Sequence, residues 1–276
     1  MLPSVYGFTW DTGNIIFLGA FYSIVALVLS TMTIAIIRAR RNTSHAEAIR
    51  WKEEFSALPV HDRACRHELS GEIGQRTCPN GFDCRVCANH PHFLARSRNT
   101  TPGAGETSDC AAGFTVPGSR LYHRGHTWIE REDGGVYRIG LDDFGQRLIG
   151  SPDSLQVPKP GTRLTVNGTA WRMRKNGHPV RILSPIDGIV VESGKELSGW
   201  LLRVKPLQEP PDLTHLLGAQ EVTEWLQREV ERLELSLPTN EIGATLADGG
   251  VMVADPAREM PEADWDAVYG EMFLEP

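Results

Sequence analysis

The chain has 276 residues, of which 41% are hydrophobic, with a formal net charge of −7 and a sequence pI ≈ 5.7. This length and apolar content suffice for at least one buried core with appended segments. The negative charge argues against a nucleic-acid partner, which is held through an excess of Lys and Arg, and five cysteines are too few for a secreted disulfide scaffold.

An uncharged apolar segment lies close to the N-terminus. Residues Asn14 to Ile37 contain no charged side chain, and a bilayer core needs about 20 helical residues. A secretory signal peptide fits this region poorly, because no basic segment precedes the apolar run and no small-residue cleavage motif follows it. The sequence therefore predicts an N-terminal membrane anchor at residues 1–41, with one span at residues 14–37.

The charges that flank this span predict its orientation. Arg38, Arg40 and Arg41 follow it directly, whereas Asp11 is the one charged residue before it. Because Lys and Arg are retained on the cytoplasmic side of a membrane, we expect a single-pass protein of the cell inner membrane. Its C-terminal domain is then cytoplasmic.

Two further features are predicted within residues 42–94. The segment His45 to Leu58 has apolar residues at helical spacing and is followed by Pro59, which predicts a juxtamembrane amphipathic helix. This helix either continues the membrane helix or lies on the membrane surface. A four-cysteine module follows, with twelve, five and two residues between its successive cysteines: Cys65, Cys78, Cys84 and Cys87.

The grouping of these four cysteines predicts a metal site. Clustered thiols rarely persist as disulfides in a reducing cytoplasm, and four thiolates suit tetrahedral zinc. An iron–sulfur cluster is the alternative cofactor, and a metal-free module stays open as a third interpretation. Nearby His67, His90 and His92 are candidate substitute ligands but are left outside the predicted ligand set. Cys110, within a predicted linker at residues 95–119, is interpreted as a free thiol.

From residue 120 onward, short apolar runs alternate with turn signals. Asp133-Gly134-Gly135 and Asn176-Gly177 predict hairpin turns. Residues 212–237 then carry an apolar stripe at helical spacing. These patterns predict a mainly β domain at residues 120–237 that ends in a helix.

Four motifs occur in order within this domain. They are His126-Thr127-Trp128, YRIGLDDFGQRLIG at residues 137–150, SPIDGIVV at residues 184–191 and GWLLRVKP at residues 199–206. Together they resemble the H protein of the glycine cleavage system, a lipoyl-carrying family. The resemblance implies a lipoyl-like barrel-sandwich hybrid, made of two small antiparallel sheets, followed by C-terminal helices.

The resemblance also implies where a lipoyl group would be attached. In the family the modified lysine lies on a hairpin, eight residues before the Pro of the second long motif. Counted back from Pro185, that position holds Gly177 in this chain. We therefore expect the chain to lack lipoate. Lys175 is kept as an alternative attachment site, because a two-residue shift in a hairpin leaves a side chain on the same face.

The segment around Lys175 is basic within an acidic protein, since Arg172, Arg174, His178 and Arg181 accompany it. Charged residues of this kind commonly protect an edge strand from pairing. The alternative is that they bind an acidic partner or phospholipid headgroups.

The sequence contains no Gly-x-Ser-x-Gly motif, phosphate loop or dinucleotide fingerprint. A C-terminal extension at residues 238–276 completes the chain and is expected to cover the β domain. We therefore predict a non-catalytic accessory or docking subunit at the cytoplasmic membrane face, with protein partners such as a membrane redox complex. The alternatives are a lipoyl carrier that uses Lys175 and an iron–sulfur electron-transfer subunit.

Overall fold

The structure, a computed structural model, describes residues 11–69, 72–97, 110–237 and 252–275. The chain divides into two compact units, Met1–Ala46 and Glu47–Pro276. The described helices are α1 Thr12–Ala57, α2 Arg66–Leu69, α3 His90–Ser97, α4 Asp143–Ile149, α5 Ala219–Ser236, α6 Pro256–Glu259 and α7 Trp265–Met272. The described strands are β1 Cys110–Ala111, β2 Phe114–Thr115, β3 Leu121–His123, β4 Thr127–Arg131, β5 Tyr137–Leu141, β6 Ser154–Gln156, β7 Arg163–Leu164, β8 Thr169–Lys175, β9 His178–Leu183, β10 Gly188–Ser193 and β11 Leu202–Pro206.

Helix α1 contains the predicted membrane span. Its segment Thr12–Arg38 has a mean hydropathy of 2.2, and large apolar side chains such as Phe17 and Leu27 are exposed along it. The hydroxyl groups of Ser30 and Thr33 donate to backbone carbonyls four residues earlier, so these polar residues are satisfied within the helix. By length and composition this segment is apolar enough to cross a membrane.

The predicted juxtamembrane helix is the last part of α1. The helix runs on to Ala57 because neither Gly nor Pro interrupts the sequence after Arg38. Its final turns bury Trp51 and Phe55, and the ring centroids of Phe55 and Phe82 lie 4.9 Å apart. The helix therefore ends against the segment that contains the cysteines.

Two antiparallel sheets form the β domain, as the sequence predicts. One has six strands in the order β3-β4-β5-β11-β10-β7, and the other has three strands in the order β6-β8-β9. The β4–β5 hairpin turns at Asp133–Gly135, and Lys175 pairs with His178 at the end of the β8–β9 hairpin. The predicted turn signals therefore lie at the tips of real hairpins.

One apolar cluster joins both sheets to the helices α4, α5 and α7. Its most deeply buried large members are Leu69, Phe114, Tyr122, Trp128, Ile129, Phe144, Trp171, Trp225, Tyr269 and Phe273. Burying an apolar side chain of this size contributes about 1.5–3 kcal/mol. Apolar packing is therefore the main stabilising contribution to the β domain.

The predicted linker is partly incorporated into the fold. Its residues 98–109 lie outside the described part of the chain, but strands β1 and β2 pair as a two-stranded sheet. Phe114 is buried, and its ring lies 5.5 Å from that of Phe144, centroid to centroid. The linker prediction was wrong at this end, because an aromatic side chain anchors β2 to the domain core.

The C-terminal extension covers the β domain, as expected, over the part that the structure describes. Helix α7 packs against α5 and β9. It begins at Trp265, where the carboxylate of Asp264 accepts a hydrogen bond from the backbone N–H of Ala267. Trp265 and Tyr269 are buried on this side of the molecule.

Candidate functional site

The tip of the β8–β9 hairpin is a two-residue turn. Asn176 has φ 51° and Gly177 has φ 83°, the positive values that short hairpin turns require. A Cβ atom built on Gly177 would have no heavy atom within 4 Å. The position that the family resemblance assigns to a modified lysine is therefore open to solvent, but it carries no side chain.

Lys175 lies next to this tip but is not available as an attachment site. It is 5% exposed, and its Nζ lies 2.6 Å from Asp255 Oδ2 and 3.0 Å from the carbonyl oxygen of Ser151. Modification would remove the charge that Asp255 neutralises and would need space that the packing does not leave. The residues of this hairpin therefore do not fit a lipoyl group, and Lys175 is better explained as a structural lysine.

The other basic residues of the hairpin divide between solvent and interior. Arg172 and Arg174 are exposed, whereas Arg181 is 2% exposed and pairs with Glu54 and Glu275. The prediction that the basic residues protect an edge strand was wrong for Arg172 and Arg174, because their strand, β8, lies between β6 and β9. Part of the basic run neutralises internal carboxylates instead.

The first two cysteines lie on paired backbone segments. Ala64 and Thr77 form an antiparallel bridge. The N–H of Cys65 donates to the carbonyl of Arg76 at 2.7 Å, and the N–H of Cys78 donates to that of Arg63 at 2.6 Å. These bonds hold Cys65 and Cys78 beside each other although twelve residues separate them. Both side chains are buried.

The last two cysteines lie at the two ends of one tight turn. Cys84 begins a 3₁₀ turn, and the N–H of Cys87 closes it by donating to the carbonyl of Cys84 at 3.1 Å. Residues three apart in such a turn lie on the same side of it. Asp83 caps the turn by accepting from the N–H of Arg85 at 3.1 Å. The C-x-x-C pair is therefore arranged to present two thiols in one direction.

All four predicted ligands line one cavity, which the β domain also helps to enclose. The residues that border it are Cys65, Arg66, His67, Cys78, Pro79, Phe82, Asp83, Cys84, Cys87, His90, Arg124 and His215. Burial raises the pKa of the Cys84 thiol to about 12 and also raises that of Cys65. Cys110 lies elsewhere, exposed on β1. The structure thus brings together the four cysteines and separates the fifth.

Arg124 is a member of this cavity that the sequence analysis missed. It is 7% exposed, stacks over the ring of Phe82 at 3.9 Å, and donates to the carbonyl oxygen of Ala64 at 2.5 Å. Burial lowers its pKa to about 10, so the guanidinium stays charged near neutrality. Among the described residues it makes no ion pair with a carboxylate. It lies within residues 120–237, which the sequence assigns to the β domain, so no local pattern connected it with the cysteines.

His215 is a second contribution from the β domain that the sequence analysis missed. Its Nε2 lies 2.9 Å from the carbonyl oxygen of Pro185. Because a carbonyl oxygen only accepts hydrogen bonds, Nε2 carries the proton and donates. The Nδ1 atom has no partner among the described residues. Burial lowers its pKa to about 4, so the ring is neutral. This is the arrangement in which a histidine offers one nitrogen to a metal while the other donates to a carbonyl.

The histidines near the cysteines differ from one another. His67 and His90 both line the cavity, with His67 Nε2 and His90 Nδ1 2.7 Å apart. Nε2 of His90 is buried without a partner in the described part of the chain. His92 is exposed and does not border the cavity. Both ring nitrogens of His67 are already engaged, by Glu72 and by His90, so His90 remains as the candidate among the three histidines named from the sequence.

A separate cluster places three ligand atoms closer together than the cysteines do. His61, Asp62 and Glu271 have such atoms within 4.8 Å of one another. However, Nε of Arg232 lies 2.8 Å from Asp62 Oδ1 and 3.8 Å from Glu271 Oε1. Because this guanidinium already neutralises the carboxylates, the cluster is an ion-pair network rather than a site for a cation.

The first residue of the His-Thr-Trp motif also belongs to a buried charge network. His126 is fully buried, its Nδ1 lies 2.9 Å from Asp142 Oδ2, and its ring stacks between those of Phe144 and Trp225. Burial alone would lower the pKa of His126, but Asp142 and Glu229 outweigh it and raise the pKa to about 9. The motif therefore has a structural role, since its imidazolium balances two buried carboxylates.

The sequence similarity to known proteins coincides with the β domain. A family model described as glycine cleavage H-protein matches residues 120–229, which span the two sheets and most of α5. This part of the chain is a glycine cleavage H-protein-like domain. The apolar N-terminal segment and the cysteine module lie outside the matched residues.

Individual H proteins match over the same part of the chain. Glycine cleavage system H protein 4 of Aquifex aeolicus is 24% identical over 131 residues, which are 43% of this chain and 75% of that protein. The mitochondrial H protein of Pisum sativum is 29% identical over 121 residues, which are 39% of this chain and 72% of that protein. A crystal structure of the H protein from Mycobacterium marinum aligns with 22% identity and a TM-score of 0.33, covering 41% of this chain and 98% of that one.

Proposed function

We propose that this chain is a non-catalytic accessory subunit whose H-protein-like domain serves as a docking scaffold rather than as a carrier. The observation that carries the proposal is the β8–β9 hairpin. A carrier needs a flexible arm on an exposed lysine, but the hairpin ends in Asn176-Gly177, and the nearby Lys175 is buried against Asp255. A domain that keeps the family's fold without this lysine retains surfaces through which other proteins can bind it.

The proposal is tested first by attempted lipoylation. The full-length chain is expressed with enzymes that lipoylate H proteins, in lipoate-supplied cells, and its intact mass is measured. We expect no lipoyl adduct, because Lys175 is covered. A H protein from Pisum sativum, expressed in the same cells, controls for the competence of the enzymes. An adduct on Lys175 would overturn the docking proposal in favour of a carrier.

A matched pair of variants separates the missing lysine from the rest of the hairpin. Gly177→Lys places an amine at the exposed tip, where a Cβ atom meets nothing within 4 Å, whereas Asp255→Asn leaves the tip unchanged and weakens the pairing of Lys175. If lipoate attaches to the Gly177→Lys variant but not to the Asp255→Asn variant, the hairpin tip is still recognised by the lipoylating enzymes. The wild-type chain then lacks only the lysine at this position. Attachment to Asp255→Asn would show that Lys175 is a latent site.

Membrane attachment and partner binding are the other parts of the proposal. The apolar composition of Thr12–Arg38 supports a single-pass anchor, and the arginines after it support a cytoplasmic C-terminal domain in the inner membrane. Cell fractionation should place the full chain in membranes after carbonate washing. A chain without residues 1–41 should be soluble. A reporter fused after Pro276 that is active only outside the cytoplasm would contradict this topology.

The partner is expected to be a protein complex at the same membrane. By their names, the relatives that match the β domain are components of the glycine cleavage system, and a membrane redox complex is the second class of partner that we consider. Affinity purification from membranes solubilised in a mild detergent distinguishes the two. Recovery of neither class, at expression levels where the chain itself is recovered intact, would contradict the docking role.

A further inference from the structure

The four thiols of the cysteine module lie around one cavity but are spaced too widely for a single zinc ion. In a four-cysteine zinc site, bonds of about 2.3 Å in tetrahedral geometry place every pair of sulfur atoms about 3.8 Å apart. Any three of them would then lie well within 4.8 Å of one another. In the described part of the chain, the ligand atoms of His61, Asp62 and Glu271 lie within 4.8 Å of one another. No three of the cysteine sulfur atoms in that part of the chain do so.

An iron–sulfur cluster has a different spacing requirement. Its iron atoms and inorganic sulfides lie between the cysteine thiolates, so the protein sulfur atoms stand farther apart than around one ion. The four thiols nevertheless border a common cavity, from two backbone arrangements that are each fixed by hydrogen bonds. A shared cavity with wide sulfur spacing favours a polynuclear centre.

The cavity wall also carries a charge that suits an anionic metal centre. A cluster bound by four thiolates is anionic, and buried charges are generally paired. Arg124 is a buried cation that borders the cavity. Its guanidinium donates to carbonyl oxygens and stacks on the ring of Phe82, and the carboxylate of Glu229 acts on it electrostatically without forming an ion pair with it. Arg66 also borders the cavity, but Glu221 already binds it through two contacts of 2.6 Å. Among the described residues, Arg124 is therefore a buried cation of the cavity wall that no carboxylate contacts directly, and it can help to balance an anionic centre.

We propose that Cys65, Cys78, Cys84 and Cys87 bind an iron–sulfur cluster at this cavity, with Arg124 of the β domain balancing its negative charge. The site is composite, because the cysteine module supplies the ligands and the β domain supplies Arg124 and His215. This inference does not depend on the docking role, since it concerns a different part of the molecule from the β8–β9 hairpin.

The cluster is tested by metal analysis of the full-length chain, purified in detergent without oxygen. We expect more than one iron atom per chain, acid-labile sulfide in a similar amount, and visible absorption that bleaches with dithionite. One zinc atom per chain in a colourless protein would overturn the proposal, and so would a folded protein free of metal.

Cysteine variants assign the ligands. Cys84→Ser and Cys87→Ser should each lose most of the iron and sulfide, whereas Cys110→Ser should keep them because Cys110 lies on β1, away from the cavity. Circular dichroism checks that each variant is folded. If folded Cys84→Ser protein loads as much iron as Cys110→Ser protein, these thiols are not the ligands.

The role of Arg124 is tested through the midpoint potential of the cluster, which would not change if Arg124 only stabilised the fold. Arg124→Lys keeps the positive charge, and Arg124→Met removes it while retaining much of the side-chain length. In cluster-loaded protein we expect the midpoint potential of Arg124→Met to be more negative than that of wild type, because a cation that stabilises the reduced cluster is lost. Arg124→Lys should lie between them. Equal potentials in all three proteins would remove Arg124 from the proposal.

Discussion

The β domain buries three tryptophan side chains, Trp128, Trp171 and Trp225, whereas the cysteine module buries thiols, imidazoles and a neighbouring guanidinium. The two regions touch each other, for instance where Arg85 Nη1 lies 2.5 Å from Asp187 Oδ2. Apolar burial needs no exact partner, but a buried polar group costs free energy unless it is paired. The stability of the cysteine module therefore depends on specific polar contacts far more than the stability of the β domain does.

The largest expected effect comes from removing a core side chain of the β domain. Trp128 is 2% exposed and its Nε1–H donates to the carbonyl of Leu141 at 2.9 Å. Trp128→Ala should lower the free energy of unfolding by about 3–5 kcal/mol. Urea denaturation of the full chain in detergent, followed by circular dichroism, measures this loss. The control is Ile189→Ala, at a side chain that is 42% exposed, where less than about 1 kcal/mol is expected; similar losses in both would contradict an apolar origin of the stability.

The next effect is a dependence of stability on pH, centred on His126. The pKa of His126 is raised from 6.5 to about 9 in the folded chain. Its contribution to stability is therefore complete below about pH 6.5 and is lost as the pH rises through about 9. The expected loss is on the order of 2–3 kcal/mol, measured as unfolding free energy between these two pH values. His126→Phe keeps the stacking on Phe144 but should lose this slope, and a variant with the wild-type slope would contradict the assignment.

His123 gives the opposite pH dependence in the same domain. Its Nε2 lies 2.8 Å from Asn167 Oδ1, and its Nδ1 accepts from the N–H of Gly125, so the neutral ring is fully bonded. Burial lowers its pKa to about 3. Stability should therefore fall as the pH drops from about 6.5 towards 3, because the unfolded chain binds the proton first. Acid titration of His123→Gln, compared with wild type, should reveal a shallower fall.

The ion pair between β8 and the C-terminal extension is expected to have a smaller effect. Lys175→Met leaves Asp255 without its 2.6 Å contact and should lower the unfolding free energy by about 2 kcal/mol. Lys205→Met, at an exposed lysine, is the control, with a change below about 0.5 kcal/mol. A double-mutant cycle with Asp255→Asn isolates the pair, and zero coupling energy would mean that the two charges do not interact in solution.

The smallest effect distinguishes two glycines with positive φ. Gly177→Ala at the hairpin tip meets open space, so only backbone strain of about 1 kcal/mol is expected. Gly81→Ala in the cysteine module adds a Cβ atom 2.8 Å from Trp51 Nε1, and it should cost about 1 kcal/mol more. Thermal unfolding of both variants makes the comparison. Equal losses of stability in the two variants would show that Trp51 moves aside for the added methyl group. The packing around Gly81 would then not be tight.

The β domain was predictable from sequence because its signals are local. Turn dipeptides such as Asn176-Gly177 set hairpins within a few residues, and alternating apolar residues set the buried faces. The burial of Lys175 was not predictable, because its partner Asp255 is 80 residues further along the chain. Arg124 and His215 were missed at the cysteine cavity for the same reason: contacts distant in sequence decide which polar side chains meet.

The pairing of Arg181 has a consequence for the order in which the chain folds. Its guanidinium is bound by Glu54, 127 residues earlier, and by Glu275, 94 residues later. Closing loops of this length costs conformational entropy, and this cost comes before the stabilising contacts can form. During synthesis Glu54 is already present when the β8–β9 hairpin emerges, but Glu275 is not. The pairing of Arg181 is therefore complete only after helix α7 has left the ribosome.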